Sequence, residues 1–316
     1  MMDHSASIAH SAPLCKLSGL IAAVFTPMHS DGSLNLAAIP AACDFVVGQG
    51  VSGLFLCGST GESPSLSTAE RIAVAEEYSR AAQGRVPIVV HVGHNSMADA
   101  CALAEHAASI DADAIAVVPP SYFPPASAEM LVACLQQIAA AAPKTALYYY
   151  HIPRITGVGL RMIDLLERAD DALPTLAGIK FSSFELDDLL RCVRHADRRY
   201  NILFGSDEML LAGLAMGAAG AVGSTYNFMG PYYRRVIDAF EAGKLEEAQE
   251  HQHLATRIVH EILKYGGHNA IKASMSLLGS DVGPPRLPIA ALTPAAMEEL
   301  KQGLASLGAS RRGQSK

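Results

Sequence analysis

Tryptophan is absent from this 316-residue chain, and charge is sparse: Asp, Glu, Lys and Arg together make up 17% of it. Half of the residues are hydrophobic, which excludes a disordered or strongly charged chain and supplies a large core. Positive charge is the scarcer sign. The net charge of -7 argues against general nucleic-acid binding, so an anionic substrate would have to be held by local features. The six cysteines (Cys15, Cys43, Cys57, Cys101, Cys134, Cys192) include no C-x-x-C pair, a pattern that fits reduced, mostly buried thiols. No stretch suits a bilayer, because the most lipid-like one, residues 210–223, is short and rich in glycine. Met1-Met-Asp-His-Ser5 lacks the basic and apolar regions of a secretory signal. The expectation is a soluble, cytoplasmic protein with neither a membrane nor a nucleic-acid partner.

Two common kinds of chemistry lack their motifs. No G-x-G-x-x-G follows the first strand-like run, which removes support for dinucleotide binding. Among the twelve histidines, His91-Val-Gly-His94 and His251-Gln-His253 are the only close pairs. Neither has zinc-site spacing, and both read as strand-end or surface residues.

What is present is a rhythm. Strand-like runs at 20–26, 53–58, 87–92, 114–119, 145–150, 177–181, 201–205 and 220–224 alternate with helical periodicity at 36–47, 68–82, 96–109, 128–141, 160–169, 186–195 and 209–216. Ser67-Thr-Ala-Glu70 has the form of a capping box. Several of the strands are continuous apolar runs, as expected when helices cover one face and a packed interior the other. Eight strands in strict alternation predict an α/β fold, a (β/α)8 TIM barrel, with an open doubly wound sheet as the structural alternative. Helices at 232–242, 245–265, 269–278 and 294–307, with a stiff Pro284-Pro285-Arg-Leu-Pro288 connector, predict a C-terminal helical extension. The expected division is a disordered leader at 1–16, the barrel at 17–228, the extension at 229–309 and a tail at 310–316.

One strand carries an anomaly. Leu176-Ala-Gly-Ile-Lys-Phe-Ser-Ser183 places a lysine in an apolar run, and lysine is rarely buried unless paired or chemically engaged. Alternation puts Gly178, Lys180 and Ser182 on one face. Taken alone, the run fits either an edge-strand lysine facing water or a desolvated amine prepared to form a Schiff base with a carbonyl. A barrel of this kind has its active site at the C-terminal strand ends. There the chain offers Gly58-Ser-Thr-Gly-Glu62, a turn whose N–H and O–H groups can face one carboxylate. It also offers Tyr148-Tyr-Tyr-His-Ile-Pro153, Gly205-Ser-Asp-Glu208 and Gly223-Ser-Thr-Tyr-Asn227. Each is weak separately, and an ordinary turn or a core aromatic run explains any one of them. All of them fall on one rim.

In order and spacing, these motifs resemble the N-acetylneuraminate lyase and dihydrodipicolinate synthase superfamily over roughly residues 17–307. The resemblance implies a pyruvate-dependent class I aldolase that acts on a small-molecule 2-keto acid and needs no cofactor beyond its own imine. By position, Lys180 would form that imine, Tyr150 would relay protons, and Ser59 and Thr60 would hold the substrate carboxylate. Tyr122 matches a tyrosine that, in many relatives, reaches across a subunit interface, which implies a homotetramer. Within the family, Ile155 stands where the synthase branch places an arginine, with Arg154 one place earlier, and the first loop is Gly-Ser-Thr-Gly instead of Gly-Thr-Thr-Gly. Asp207 and Glu208 match the lyases' polyol-binding pair, and Ser182, Gly205 and Ser224 match further hydroxyl-binding positions. The implied reaction is cleavage of N-acetylneuraminate to N-acetylmannosamine and pyruvate. Aldolase action on another 2-keto-3-deoxy sugar acid, dihydrodipicolinate synthesis, and a non-catalytic keto-acid-binding barrel are the alternatives. His151 replaces an asparagine common in bacterial lyases.

Overall fold

Eight parallel strands pair in chain order and close on themselves: β1 (Gly19–Ala23), β2 (Gly53–Leu56), β3 (Ile88–His91), β4 (Ala114–Val117), β5 (Ala146–His151), β6 (Leu176–Phe181), β7 (Asn201–Phe204) and β8 (Gly220–Gly223), with β8 paired to β1. The computed structural model describes residues 15–309. The expected tail at 310–316 and nearly all of the expected leader lie outside the described residues. Cys15, placed in that leader by the sequence, already touches the barrel, since its carbonyl accepts from Tyr148 Oη at 2.8 Å.

Alternation along each strand builds two cores. Residues facing outward, such as Leu54, Val90, Leu147 and Ile179, pack under the helices, whereas Ile21, Phe55, Val89, Tyr148, Tyr150 and Leu203 fill the barrel. The three consecutive tyrosines of β5 are thereby split, Tyr149 to the outside and its neighbours to the inside. At the N-terminal end of the barrel Asn201 acts as a plug: its amide exchanges two hydrogen bonds with the Leu17 backbone and lies 2.7 Å from Tyr148 Oη.

The helices between strands are α1 (Ile39–Gly48), α2 (Thr68–Ala82), α3 (Met97–Ser109), α4 (Ala128–Ala141), a single turn α5 (Pro153–Thr156), α6 (Met162–Ala169), α7 (Leu186–Arg194) and α8 (Leu210–Ala215). The capping box at α2 forms as read: Ser67 Oγ accepts from the Glu70 N–H, and Glu70 accepts from the Ser67 N–H. After β8 come α9 (Tyr226–Glu241), α10 (Leu245–Leu263), α11 (His268–Leu278) and α12 (Pro294–Ser306). Helix α9 starts six residues before the expected 232, because Pro231 lies within it and the chain absorbs the proline through a distortion at Met229. The boundary expected at 228/229 therefore falls inside a helix. Of the six cysteines, all free, three are buried and three half-buried, so burial is less general than expected.

Candidate active site

Lys180 and Tyr150 are register partners on β6 and β5 and both point into the barrel. Lys180 is 4% exposed. Its Nζ lies 3.8 Å from the centroid of the Tyr150 ring and 4.1 Å from that of Phe55, and it has no ion-pair partner among the described residues. The amine thus rests on two aromatic faces, within cation–π distance of both rings. His91 completes the wall, edge-on to Tyr150 at 6.0 Å. Its Nδ1 lies 2.9 Å from Cys57 O and 3.3 Å from Arg71 Nη2, and its Nε2 lies 3.4 Å from the Val118 N–H. Burial, followed by the charges of Arg71 and Lys180, holds the ring well below the usual histidine range.

The turn at residues 58–62 follows β2. Ser59 Oγ stands 3.5 Å from Tyr150 Oη, and Thr60 Oγ1 lies 2.6 Å from Ser224 Oγ, which comes from the loop after β8. Cys57 and Glu62 flank the turn in left-handed conformations, at φ 53° and 56°. Tyr150, Ser59, Thr60 and Ser224 therefore share one mouth, across strands distant in sequence.

The loop after β7 supplies the acid pair, Asp207 and Glu208, against groups from the loops after β6 and β8. Asp207 is buried, and its Oδ2 accepts from both the backbone N–H (2.8 Å) and the hydroxyl (2.6 Å) of Thr225. Burial pushes its carboxyl up to about 6, the Thr225 hydrogen bonds oppose the rise, the Glu208 charge adds to it and the Lys180 charge lowers it. Glu208 is half-buried. Two glycines make this packing possible. A Cβ on Gly223 would lie 1.9 Å from Asp207 Oδ1, and one on Gly205 would lie 1.9 Å from Ser182 Oγ. Ser182 Oγ is buried without a hydrogen-bond partner among the described residues. A buried hydroxyl in that condition is costly unless something binds it.

Tyr122 is not gathered in. It is 78% exposed, packs edge-on against the exposed Phe123 at 5.0 Å, and has its backbone N–H held by Asn95 Oδ1. His151 points out of the barrel, 5.1 Å from Phe181, and burial pushes it down to about 4. It faces the helical layer, away from the Lys180 pocket.

The sequence profile of the Dihydrodipicolinate synthetase family matches residues 16–307. The chain belongs to this family. It is 43% identical to the N-acetylneuraminate lyase of Sus scrofa over 284 residues, which cover 88% of this chain and 89% of that one. Among solved structures, Proteus mirabilis N-acetylneuraminate lyase superposes with a TM-score of 0.90 at 37% identity, covering 93% of this chain and all of the other. The Aliivibrio salmonicida N-acetylneuraminate lyase (sialic acid aldolase) gives 0.91 at 35% identity, covering 94% and 99%.

Some site residues of this dihydrodipicolinate synthetase family member were not legible in its sequence. Phe55 and His91 read in sequence only as strand and strand-end residues, although the period-2 pattern puts them on the interior face, where both meet Tyr150. Lys272 bears the same signature as Lys180, a single lysine in an apolar run, Ala270-Ile-Lys-Ala-Ser-Met275. The two differ in pairing. Lys272 is fully buried, with its Nζ 2.6 Å from Glu62 Oε1, whereas Lys180 has only rings around it. Burial is outweighed by the neighbouring His268 ring, by the charge and hydrogen bond of Lys272 and by the Arg286 N–H, which together leave Glu62 below the usual carboxylate range. Glu62 is thus a buried, ionised partner, and Lys272 is structural.

Proposed function

We propose that this protein is a class I aldolase that cleaves N-acetylneuraminate to N-acetylmannosamine and pyruvate through an imine at Lys180. The observation that carries the reading is the unpaired amine of Lys180 lying against Tyr150 inside the mouth that also holds Ser59, Thr60, Ser182 and Asp207.

The chemistry follows from those positions. The Lys180 amine adds to the C2 ketone of the open-chain substrate, and loss of water leaves a protonated imine. When the C4 hydroxyl gives up its proton, the C3–C4 bond breaks. Its electron pair moves into the imine to form an enamine, and the aldehyde departs. Protonation at C3 and addition of water then return pyruvate and the free amine. Tyr150 is the proton carrier in this scheme, backed by Ser59, and such help is typically worth ~10²–10⁴-fold in rate. Ser59 and Thr60 receive the carboxylate. Asp207, Glu208, the Ser182 and Ser224 hydroxyls and the Gly205 backbone receive the polyol, where an analogue lacking hydroxyls would leave buried acceptors unpaired. No cofactor takes part.

Two further points support a lyase over a synthase. Arg154, the nearest arginine to the position that binds the synthases' second acid, is exposed and stacks 5.8 Å from the Phe184 ring. Ile155, at that position itself, is also exposed. As a separate part of the proposal, Tyr122, Phe123, Ile155 and Phe184 form exposed apolar groups on the loops after β4, β5 and β6, which suits a face covered by another subunit of a tetramer. No described helix is long and apolar enough to cross a membrane, and a cytoplasmic location fits the free cysteines. The test is pyruvate release measured across N-acetylneuraminate, 2-keto-3-deoxygluconate and related acids. The reading requires N-acetylneuraminate to give the highest kcat/KM. Preference for another sugar acid would overturn the substrate while leaving the aldolase in place.

A further inference from the structure

The C-terminal helices touch the proposed site at two unconnected places. On one side, Lys272 of α11 bonds both Glu62 (2.6 Å) and Thr26 O (2.9 Å), Thr26 Oγ1 donates to Gly61 O at 2.7 Å, and the Arg286 N–H donates to Glu62 Oε2 at 2.8 Å. These bonds surround Gly61 and Glu62, the residues that end the Ser59–Thr60 turn. On the other side, α10 presents Gln252 and Thr256, one helical turn apart on one face. Gln252 Nε2 donates to Asp207 O at 3.3 Å, its Oε1 accepts from the Leu211 N–H at 2.9 Å, and Thr256 Oγ1 donates to Glu208 O at 2.9 Å. The backbone beneath both acids is therefore fixed from α10, while the Asp207 carboxylate is held separately by Thr225.

Resting on the function proposed above, we infer that the C-terminal helices hold two separate positioning devices for one site. Lys272, with Glu62 and Thr26, sets the turn that takes the keto-acid end of the substrate. Gln252 and Thr256 set the acid pair that takes its polyol end. None of these five side chains is a catalytic residue; each acts through the backbone it holds. The arrangement predicts effects that separate by substrate end.

The experiment compares two constants in the full-length protein: the pyruvate concentration that half-saturates borohydride trapping, and KM for N-acetylneuraminate. Thr256→Val and Gln252→Leu each remove neutral hydrogen bonds and should raise KM for the sugar acid about three- to tenfold while leaving the pyruvate constant unchanged. Thr256→Ser should restore it. Thr26→Val, and Lys272→Met combined with Glu62→Gln, should raise the pyruvate constant by a similar factor, and KM with it. Thr26→Val decides this arm if the buried double variant does not fold. Equal shifts of both constants in the Thr256 variant, no shift in either arm, or failure of Thr256→Ser to recover would overturn the inference. A wild-type protein that pyruvate cannot trap would instead overturn the function on which it rests.

Discussion

Asp207→Asn tests the electrostatics of the acid pair in a way that needs no substrate. In the folded protein the carboxyl titrates at about 6, against 3.8 when unperturbed, because burial outweighs the two hydrogen bonds from Thr225. The folded state therefore holds the proton more tightly than the unfolded chain does. Stability from this group is greatest at low pH and is lost as pH rises through about 6. Above that pH the charge is present in both states. From 3.8 to about 6, at 1.36 kcal/mol for each pH decade, keeping the charge buried costs about 3 kcal/mol. The asparagine variant carries no such charge. Its stability relative to wild type should thus rise by about 2 kcal/mol between pH 4.5 and pH 8, nearly all of it below pH 7. Urea unfolding of both proteins across that range measures the difference directly, and groups common to both cancel. A difference that is flat with pH, or that moves in wild type's favour as pH rises, would refute the reasoning. The same titration makes wild-type KM for the sugar acid worsen below pH 6, where the acceptor is lost, with no matching change in the variant.

Other perturbations separate the parts of the site. Gly223→Ala would drive its Cβ to 1.9 Å from Asp207 Oδ1, an overlap costing about 1–3 kcal/mol. Because Thr225 holds the carboxylate, relief should displace Asp207 and raise KM for the sugar acid about fivefold or more, while pyruvate trapping persists. Tyr150→Phe keeps the ring under the Lys180 amine and removes the phenol, so kcat should fall about 10²–10⁴-fold while the imine still forms; near-normal turnover would place the proton relay elsewhere.

Much of the barrel was readable because its signals are local. Alternation of apolar strands with capped helices gave the eight-strand closure, and Lys180 stood out as a charge within an apolar run. The start of α9 was not readable, since a proline at 231 ordinarily stops a helix and only tertiary packing shows that this one continues. The same limit applies to Lys272 and Lys180. Both look alike in sequence, and a contact 210 residues away, to Glu62, is what separates a structural ion pair from a free amine. Phe55 and His91 lie on the interior face of their strands, yet their meeting with Tyr150 depends on the register between strands, which residue pattern does not encode. In sequence Thr225 is one more hydroxyl among several, and only the fold shows that it fixes the carboxylate of Asp207.

The central claim is that one amine, at residue 180, attacks the ketone. Incubation with pyruvate and borohydride, followed by peptide mass mapping, tests it most directly. One reduced pyruvate is expected on the peptide containing Lys180, none on that containing Lys272, and none anywhere in Lys180→Ala. An unmodified wild-type protein, or an adduct on a different lysine, would contradict it.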